Sequence, residues 1–540
     1  MTDSSHKTFF SGFRITSLMT LLSRLLGMLR DVATAWMFGA SGSGVMDALV
    51  MAFRIPDLFR RLFGEGALTA SYLPVISERL QEDRRSAEQL ASATLASFTV
   101  LVCAIVVVCE IASAVLLTRE QSESVRMMLG FTSALLPYVL LVSLTAQLSA
   151  TLHGLTHFTA PAIASSLLNI CWLVGIGVAV YTTDDKTTRA YVLIGSLLVA
   201  GTLQTLLQLV VLWQLNFRFR WNWTASRPYL KRVVGTMFPT LLGLSVTQIN
   251  TLCDSVMAWT FSTGPAGPAT ISWLGDAVFP MKQGAASATY YGERLYMFPF
   301  GLIGIATATV IFPLLSQHAA RGRLEQFGRD LTAGVRLVLF LAIPASIGMY
   351  LLAEPIVRLL FQRGEFTVED TIRTAAMIRG YAIGVWAYCL IPVVVRGYYA
   401  LGDLKTPVRV GLITIAANTG LNIMLMWQYS EMGLSLATAA TSIVQVVVLV
   451  ALFSRSGTQI FFVELIRSIA QIVAASILMA ATGWMLSTWV PYPSSGWGRV
   501  FEVAIPLLGC VIVYFSTARI FRSRELDELV RGMLRKKPGK

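Results

Sequence analysis

Apolar runs long enough to cross a bilayer recur along this chain from one end to the other. Two of them, LASATLASFTVLVCAIVVVCEIASAVLL and VLIGSLLVAGTLQTLLQLVVLW, exceed the roughly 18–20 residues that a helix needs to span about 30 Å of hydrocarbon. Charged residues make up 14% of the 540, against about 25% in soluble domains, so the deficit belongs to the whole chain and not to one segment. The chain reads as an all-α polytopic membrane protein. Fourteen spans are expected, centred near residues 25, 55, 103, 138, 168, 202, 246, 303, 340, 386, 416, 443, 475 and 510.

The connections set an orientation. SERLQEDRRSAE, NFRFRWNWTASRPYLKR, SQHAARGRLEQFGRD and the tail RIFRSRELDELVRGMLRKKPGK are basic, whereas FGASGSG and STWVPYPSSGWG are not. The basic set falls on one side if both termini are cytoplasmic, with HGLTHFTAP as an exception that has no Lys or Arg. The net charge of +13 therefore reads as positive-inside bias and not as a nucleic-acid face. The first apolar stretch contains Arg24 and Arg30 and lacks a small-residue cleavage site, so it reads as a span and not as a cleaved signal peptide. The six cysteines lie in apolar stretches without ligand spacing and read as small hydrophobes.

Two pieces recur. ALTASYLPVIS (67–77) resembles ATATVIFPLLS (306–316), and GLTHFTAPAI (154–163) resembles ALGDLKTPVR (400–409), at offsets of 239 and 246 residues. The offsets suggest one duplication of a six-helix unit, giving two lobes related by a pseudo-two-fold axis along the membrane normal, around a central cavity. The expected division is an N-terminal lobe at 1–215, a basic cytoplasmic connector at 216–232, a C-terminal lobe at 233–456, two further helices at 457–522 and a basic tail at 523–540.

Charges at membrane depth are the strongest functional signal. The first two spans hold Arg24, Arg30, Asp31, Asp47, Arg54, Arg60 and Arg61, and the eighth adds Arg294. A charge at the bilayer centre costs about 2.5–3.5 kcal/mol even on the lenient insertion scale, so three arginines facing lipid would cost roughly 7–10 kcal/mol. They must face protein or water. Asp57 and Arg61 stand at i, i+4, so Arg61 reads as internally paired. Arg24 lies two turns from Asp31, and Arg60 competes with Arg61 for Asp57. The excess of arginine over acid in these spans is what a cavity for an anion would show, and the planar guanidinium can grip phosphate oxygens bidentately. In FRIPDLFRRLFGEGA, Pro56, Gly64 and Gly66 are expected to break or bend the second span; Pro299, Gly301 and Gly304 repeat the device in ERLYMFPFGLIG. Gly27 has two readings, a bend in the first span or a close-packing position.

SRLLGMLRD, MDALVMAFRIPDLFRRLFGEGALTASYLP, YYGERLYMFPFGLIGIATATVIFPLLS, LFQRGEFTVEDT and YYALGDLKTPVRVG together resemble the MurJ/MviN family. These are bacterial lipid II flippases of the multidrug/oligosaccharidyl-lipid/polysaccharide exporter superfamily. The resemblance implies a fourteen-helix flippase in the bacterial cytoplasmic (inner) membrane, with a central cavity and a groove on the last two helices for the undecaprenyl tail. It implies lipid II as substrate, membrane lipids as surroundings and cell-wall synthesis proteins as candidate partners, with no nucleic acid. Its substrate-binding residues fall on Arg24, Arg30, Asp47, Arg54, Arg60, Glu65 and Arg294, with Ser23, Gly27, Asp31, Pro56, Glu293 and Pro299 in structural or gating places. Where the family often has an acid three residues after the eighth-span arginine, this chain has Met297, and Glu293 precedes the arginine directly. The connection STGPAGPATISWLGDAVFPMKQGAAS (262–287) is a second departure and reads as an extracytoplasmic or re-entrant insertion.

Some members of that family bind sodium in the C-terminal lobe, and the matching residues here are Asp254, Asn418, Asn422 and Thr438. Read as residues alone, these also suit plain interhelical hydrogen bonding. No other cofactor is implied. Two further functions compete: a flippase for another polyprenyl-diphosphate-linked sugar, which the arginines would not distinguish, and a multidrug antiporter, which should show surplus acids and not surplus arginines. An intramembrane enzyme would need a catalytic group, yet the four histidines lie in loops or at the terminus. No GxxxxGK[ST] stretch occurs, and outward movement of negative charge gains about 2.3 kcal/mol per charge per 100 mV, so membrane potential is a sufficient driver.

Overall fold

The structure is a computed structural model that describes all residues except 1–2, 65–66, 120, 265–269, 456–461, 492–495 and 535–540. It is almost entirely helical and divides into two compact units.

The first unit takes in Met1–Leu252, Ser262–Ser287 and Arg363–Phe366. Its helices are α1 (Asp3–Phe38), α2 (Val45–Phe59), α3 (Ala67–Glu82), α4 (Arg84–Leu117), α5 (Glu123–Gly154), α6 (Thr159–Thr182), α7 (Lys186–Gln214) and most of α8 (Trp223–Thr260). Side-chain caps begin several of them. Asp83 accepts the Arg85 and Ser86 amides at α4, and Asp185 accepts the Thr188 amide at α7, each meeting otherwise unbonded first-turn N–H groups. The core packs Leu68 and Tyr72 of α3 against Leu90 and Phe98 of α4 and Leu136, Leu148 and Leu152 of α5. The 262–287 connection contains a two-stranded antiparallel hairpin, β1 (Thr270–Ile271) and β2 (Ala277–Val278).

The second unit takes in Cys253–Phe261, Ala288–Gln362 and Thr367–Lys540. Its helices are α9 (Ala285–Pro299) beyond its first turn, which belongs to the first unit, and α10 (Ala306–Ala320), α11 (Leu324–Leu351), α12 (Ala353–Leu360), α13 (Val368–Ala400), α14 (Lys405–Tyr429), α15 (Glu431–Arg455), α16 (Phe462–Trp489), α17 (Trp497–Ile520) and α18 (Arg524–Leu534). Thr367 and Asp370 form a capping box at the start of α13. Phe327 and Phe340 of α11, Tyr398 of α13, Phe453 of α15, Met479 of α16 and Tyr514 of α17 share one core, so the two last long helices belong to this unit.

Each of the fourteen expected centres falls within a helix or its π-helical continuation. Among the described residues, eleven helices are long and apolar enough to cross a membrane. The three expected spans outside that set lie on α1, whose last 18 residues hold Arg24, Arg30 and Asp31, on α2, which is only 15 residues long before its π-helical continuation, and on α8. Burial separates the spans further. The most apolar window, in α4, is only 11% buried in protein, whereas that of α13 is 67% buried. Lipid offers apolar side chains as good a home as protein does, so α4 faces outward and α13 forms the post of its unit.

The interruptions expected at proline and glycine are π-helical turns. Arg60–Gly64 follows α2 and Phe300–Ile305 follows α9, their starts 240 residues apart, and each leads into one copy of the repeated segment. Gly304 has a second role. A Cβ there would lie 2.8 Å from both the Cα and the carbonyl oxygen of Cys389, so its missing side chain lets the turn touch the α13 backbone. Gly304→Ala is expected to destabilise the protein by about 1–3 kcal/mol through overpacking. Gly420→Ala, where nothing lies within 4 Å, should be neutral or stabilising. Thermal unfolding of both variants in detergent checks this, and equal midpoints would contradict it.

Two connections differ from their expected form. The connector at 216–232 is non-helical only to residue 222, because α8 begins at Trp223. The tail holds α18, whose Leu526 and Leu529 pack on the second unit's core beside the buried Glu525 while Arg524, Asp527, Glu528 and Arg531 face outward.

Candidate functional site

On α1, Arg24 is exposed and has no ion pair or hydrogen bond among the described residues. Its neighbours Leu21, Leu25 and Leu29 are exposed apolar side chains, so a bare guanidinium stands in an apolar surface. Arg30 is held quite differently. Its Nε and one terminal nitrogen donate to Asp31 Oδ1 at 3.1 and 2.8 Å, the other terminal nitrogen donates to Asn169 Oδ1 at 3.2 Å, and the group lies over the Trp172 ring 4.9 Å from its centroid. Asn169 Nδ2 donates to the Ser23 carbonyl, and the Trp172 indole donates to Thr34 Oγ1. Asn169 and Trp172 of α6 complete a polar seam along α1 that sequence reasoning missed; the one signal was an Asn inside an apolar run. A Cβ on Gly27 would meet the Asn169 amide at 3.8 Å, an ordinary contact, and α1 continues unbroken through this position against α6.

On α2, the expected Asp57–Arg61 pair forms, with Nε to Oδ2 at 2.8 Å. Arg60 takes the other carboxylate oxygen, at 2.8 Å. One acid thus answers two guanidiniums, and Arg60 keeps about a third of its side chain exposed. Pro56 is buried inside α2, one turn before the π-helical segment in which both arginines sit. Arg54 is buried and lines a small cavity with Asp57, Leu58, Gln248, Thr251 and Leu252. Glu65 and Gly66 lie outside the described residues.

Asp47 is 2% exposed and accepts three hydrogen bonds from the far end of the 262–287 connection. Gly284 N donates to Oδ2 at 2.7 Å, and Ser287 N and Oγ donate to Oδ1 at 2.7 and 2.5 Å. The carboxylate lies in the first turn of α2 and bonds the first turn of α9, so its charge meets the positive ends of two helix dipoles. Gly284 adopts φ +94°, and a Cβ there would lie 2.8 Å from the Ser41 Cα.

In the second unit, Arg294 donates to the Tyr290 hydroxyl at 3.1 Å and lies over its ring, 4.6 Å from the centroid. Glu293 is buried beside it. The Pro299 carbonyl accepts the Cys389 thiol at 3.7 Å, at the point where α9 passes into its π-helical turn.

The same unit brings Asp254, Asn418, Asn422 and Thr438 into one buried cluster. Asp254 Oδ1 accepts Asn422 Nδ2 at 2.6 Å and Oδ2 accepts the Thr438 hydroxyl at 2.9 Å. Asn422 Nδ2 also donates to Asn418 Oδ1 at 3.0 Å, and Asn418 Nδ2 donates to Thr438 at 3.1 Å. Three helices supply one carboxylate, two amide oxygens and one hydroxyl. An all-oxygen donor set with a single negative charge fits a hard monovalent cation.

Three comparisons bear on what such an arrangement belongs to. Among solved structures, a lipid II flippase MurJ in an inward closed conformation superposes with a TM-score of 0.74 at 24% identity, covering 94% of this chain and 98% of that one. An inward-facing multidrug resistance MATE transporter of the MOP superfamily gives 0.66 at 13% identity, covering 80% and 95%. These establish the fold. Among curated proteins, the probable lipid II flippase MurJ of Vibrio cholerae is 31% identical over 515 residues, 92% of each chain. That of Rhizobium tropici is 29% identical over 538 residues, 96% of this chain and 95% of the relative. The model of the family described as lipid II flippase MurJ matches residues 34–502, which takes in both units, and the chain belongs to that family of multi-pass membrane transporters.

Proposed function

We propose that this protein moves lipid II from the inner to the outer leaflet of the bacterial cytoplasmic membrane by alternating access, with both termini cytoplasmic. Family membership supports the substrate, and one observation supports the means: Arg24 stands exposed in an apolar stretch of helix with no ion pair or hydrogen bond among the described residues. That leaves the Arg24 guanidinium available to a diphosphate. Arg24, Arg60 and Arg294 are the gripping residues in this reading, and Arg30, already held by Asp31, Asn169 and Trp172, orients the first span. Asp47 and Arg54 act by positioning α2 and its neighbours. The headgroup travels with its diphosphate on the arginines while the prenyl tail stays in lipid along the 457–522 helices.

Sodium is proposed at Asp254, Asn418, Asn422 and Thr438. A bound cation would neutralise Asp254 in a site where an isolated carboxylate is costly. The division into lobes at 1–215 and 233–456 is likewise part of this reading.

The test is replacement. In cells depleted of their own lipid II flippase, this chain is expected to restore growth. Arg24→Lys, Arg60→Lys or Arg294→Lys is expected to reduce outer-leaflet lipid II by about tenfold or more at one or more positions, since a point charge cannot replace a bidentate fork. No rescue by a chain verified in the membrane would reject the assignment. Full activity of all three lysine variants would reject the gripping role.

A further inference from the structure

Two tyrosine hydroxyls deep in the second unit have no hydrogen-bond partner among the described residues. Tyr381 is 1% exposed and Tyr388 6%, and both belong to α13, the most buried of the spans. A buried hydroxyl without a partner keeps its desolvation cost uncompensated, and phenylalanine would fill the same space without that penalty. Seven residues apart, the two side chains share one helix face. The Tyr296 ring packs against both, at centroid distances of 4.7 and 5.0 Å.

Their surroundings lead to the oxygen cluster. Gly384 lies between them on α13, and a Cβ there would sit 2.8 Å from the Tyr388 Oη and 2.8 Å from the Ala439 Cα. The Tyr388 hydroxyl is thus at the crossing of α13 with α15, beside the residue that follows Thr438, and Thr438 donates to Asp254. Asp254 is within electrostatic range of both tyrosines, and Glu293 within range of Tyr381. Both hydroxyls therefore lie near Asp254, and that of Tyr381 near Glu293 as well, inside an otherwise apolar core.

We propose that Tyr381 and Tyr388 are positioning residues for a monovalent cation at Asp254, their hydroxyls binding the ordered water that completes its oxygen shell on the side facing Glu293. This rests on the cation reading above and extends it. Phenolic oxygens suit the task because each can accept from one water and donate to another.

The experiment uses the purified full chain in detergent, with thermal unfolding followed as sodium chloride replaces choline chloride at constant ionic strength. The parent is expected to gain stability saturably with sodium, and Asp254→Asn to lose the response. Tyr381→Phe and Tyr388→Phe are each expected to raise the half-saturating sodium concentration about tenfold, the usual scale for groups that support a metal's ligands. In choline alone both should unfold at or above the parent's midpoint, which shows that they are folded. Half-saturation within twofold of the parent in both variants would overturn the role of the hydroxyls and leave the cation site standing. A parent with no response to sodium, lithium or potassium would overturn both.

Discussion

Replacing Asp47 with alanine is expected to cost about 3–5 kcal/mol of stability, the largest single effect in the first unit. Three donors converge on this carboxylate, and two of them are backbone amides at the start of α9. Neither amide can turn away to find water, because the segment is buried. The variant therefore keeps the desolvation cost of the donors and loses their acceptor. Asp47→Asn retains one carbonyl oxygen and should fall between the two, and Gly284→Ala should approach the alanine variant because the added methyl meets the Ser41 backbone. Unfolding midpoints and detergent-extractable yield give the comparison. An Asp47→Ala protein as stable as the parent would show that these hydrogen bonds are not what holds α2 to the start of α9.

A comparable loss is expected at the other end of the chain. Arg336 of α11 is buried, donates from Nε to Glu525 of α18 at 2.7 Å and from a terminal nitrogen to Glu464 of α16 at 3.2 Å. Glu525 also accepts the Ser468 and Ser523 hydroxyls, each at 2.7 Å. Removing the cation alone leaves a buried carboxylate uncompensated, so Arg336→Met should cost about 3–5 kcal/mol. Arg336→Met with Glu525→Leu should recover most of that, since a buried pair adds little over well-packed apolar side chains. The pair also predicts a pH dependence. Burial raises the Glu525 pKa, but the hydrogen bonds from Ser523, Ser468, its own amide and Arg336 outweigh it, and the pKa ends below the ordinary glutamate value. A carboxyl with a depressed folded pKa stabilises the fold fully above its unfolded pKa. That contribution is lost as pH falls from about 4.5 through the folded value. Unfolding measured between about pH 3 and pH 6 should show a steeper acid loss in the parent than in Glu525→Gln. Parallel curves would exclude Glu525 as a contributor.

Both contacts illustrate where sequence reasoning stops. The spans were legible because apolar length alone identifies them, and the breaks after Pro56 and Pro299 were legible because proline removes a donor and glycine weakens the helix. The Asp57–Arg61 pair was legible because i, i+4 neighbours meet on any helix. Arg30 was a different matter. Its partners Asn169 and Trp172 lie 139 and 142 residues away, and Asp47 bonds residues 237 and 240 positions on. In a membrane protein the apolar face of a helix does not reveal which side meets protein, because lipid serves as well. Helix rotation is decided by side-chain packing between neighbours, and rotation decides which polar groups meet.

The sequence by itself therefore determined the helical membrane class, the positions of the spans and their breaks, the surplus of arginine and the family. Those follow from local length, periodicity and charge, or from motifs read in order. Only the tertiary structure decided that Arg24 stands bare while Arg30 is enclosed, that Asp57 is shared, that Asp47 serves two helix starts, and that Asp254, Asn418, Asn422 and Thr438 form one hydrogen-bonded cluster. Each of these depends on which faces of distant helices are brought together, a property that packing confers and that no local stretch of chain contains.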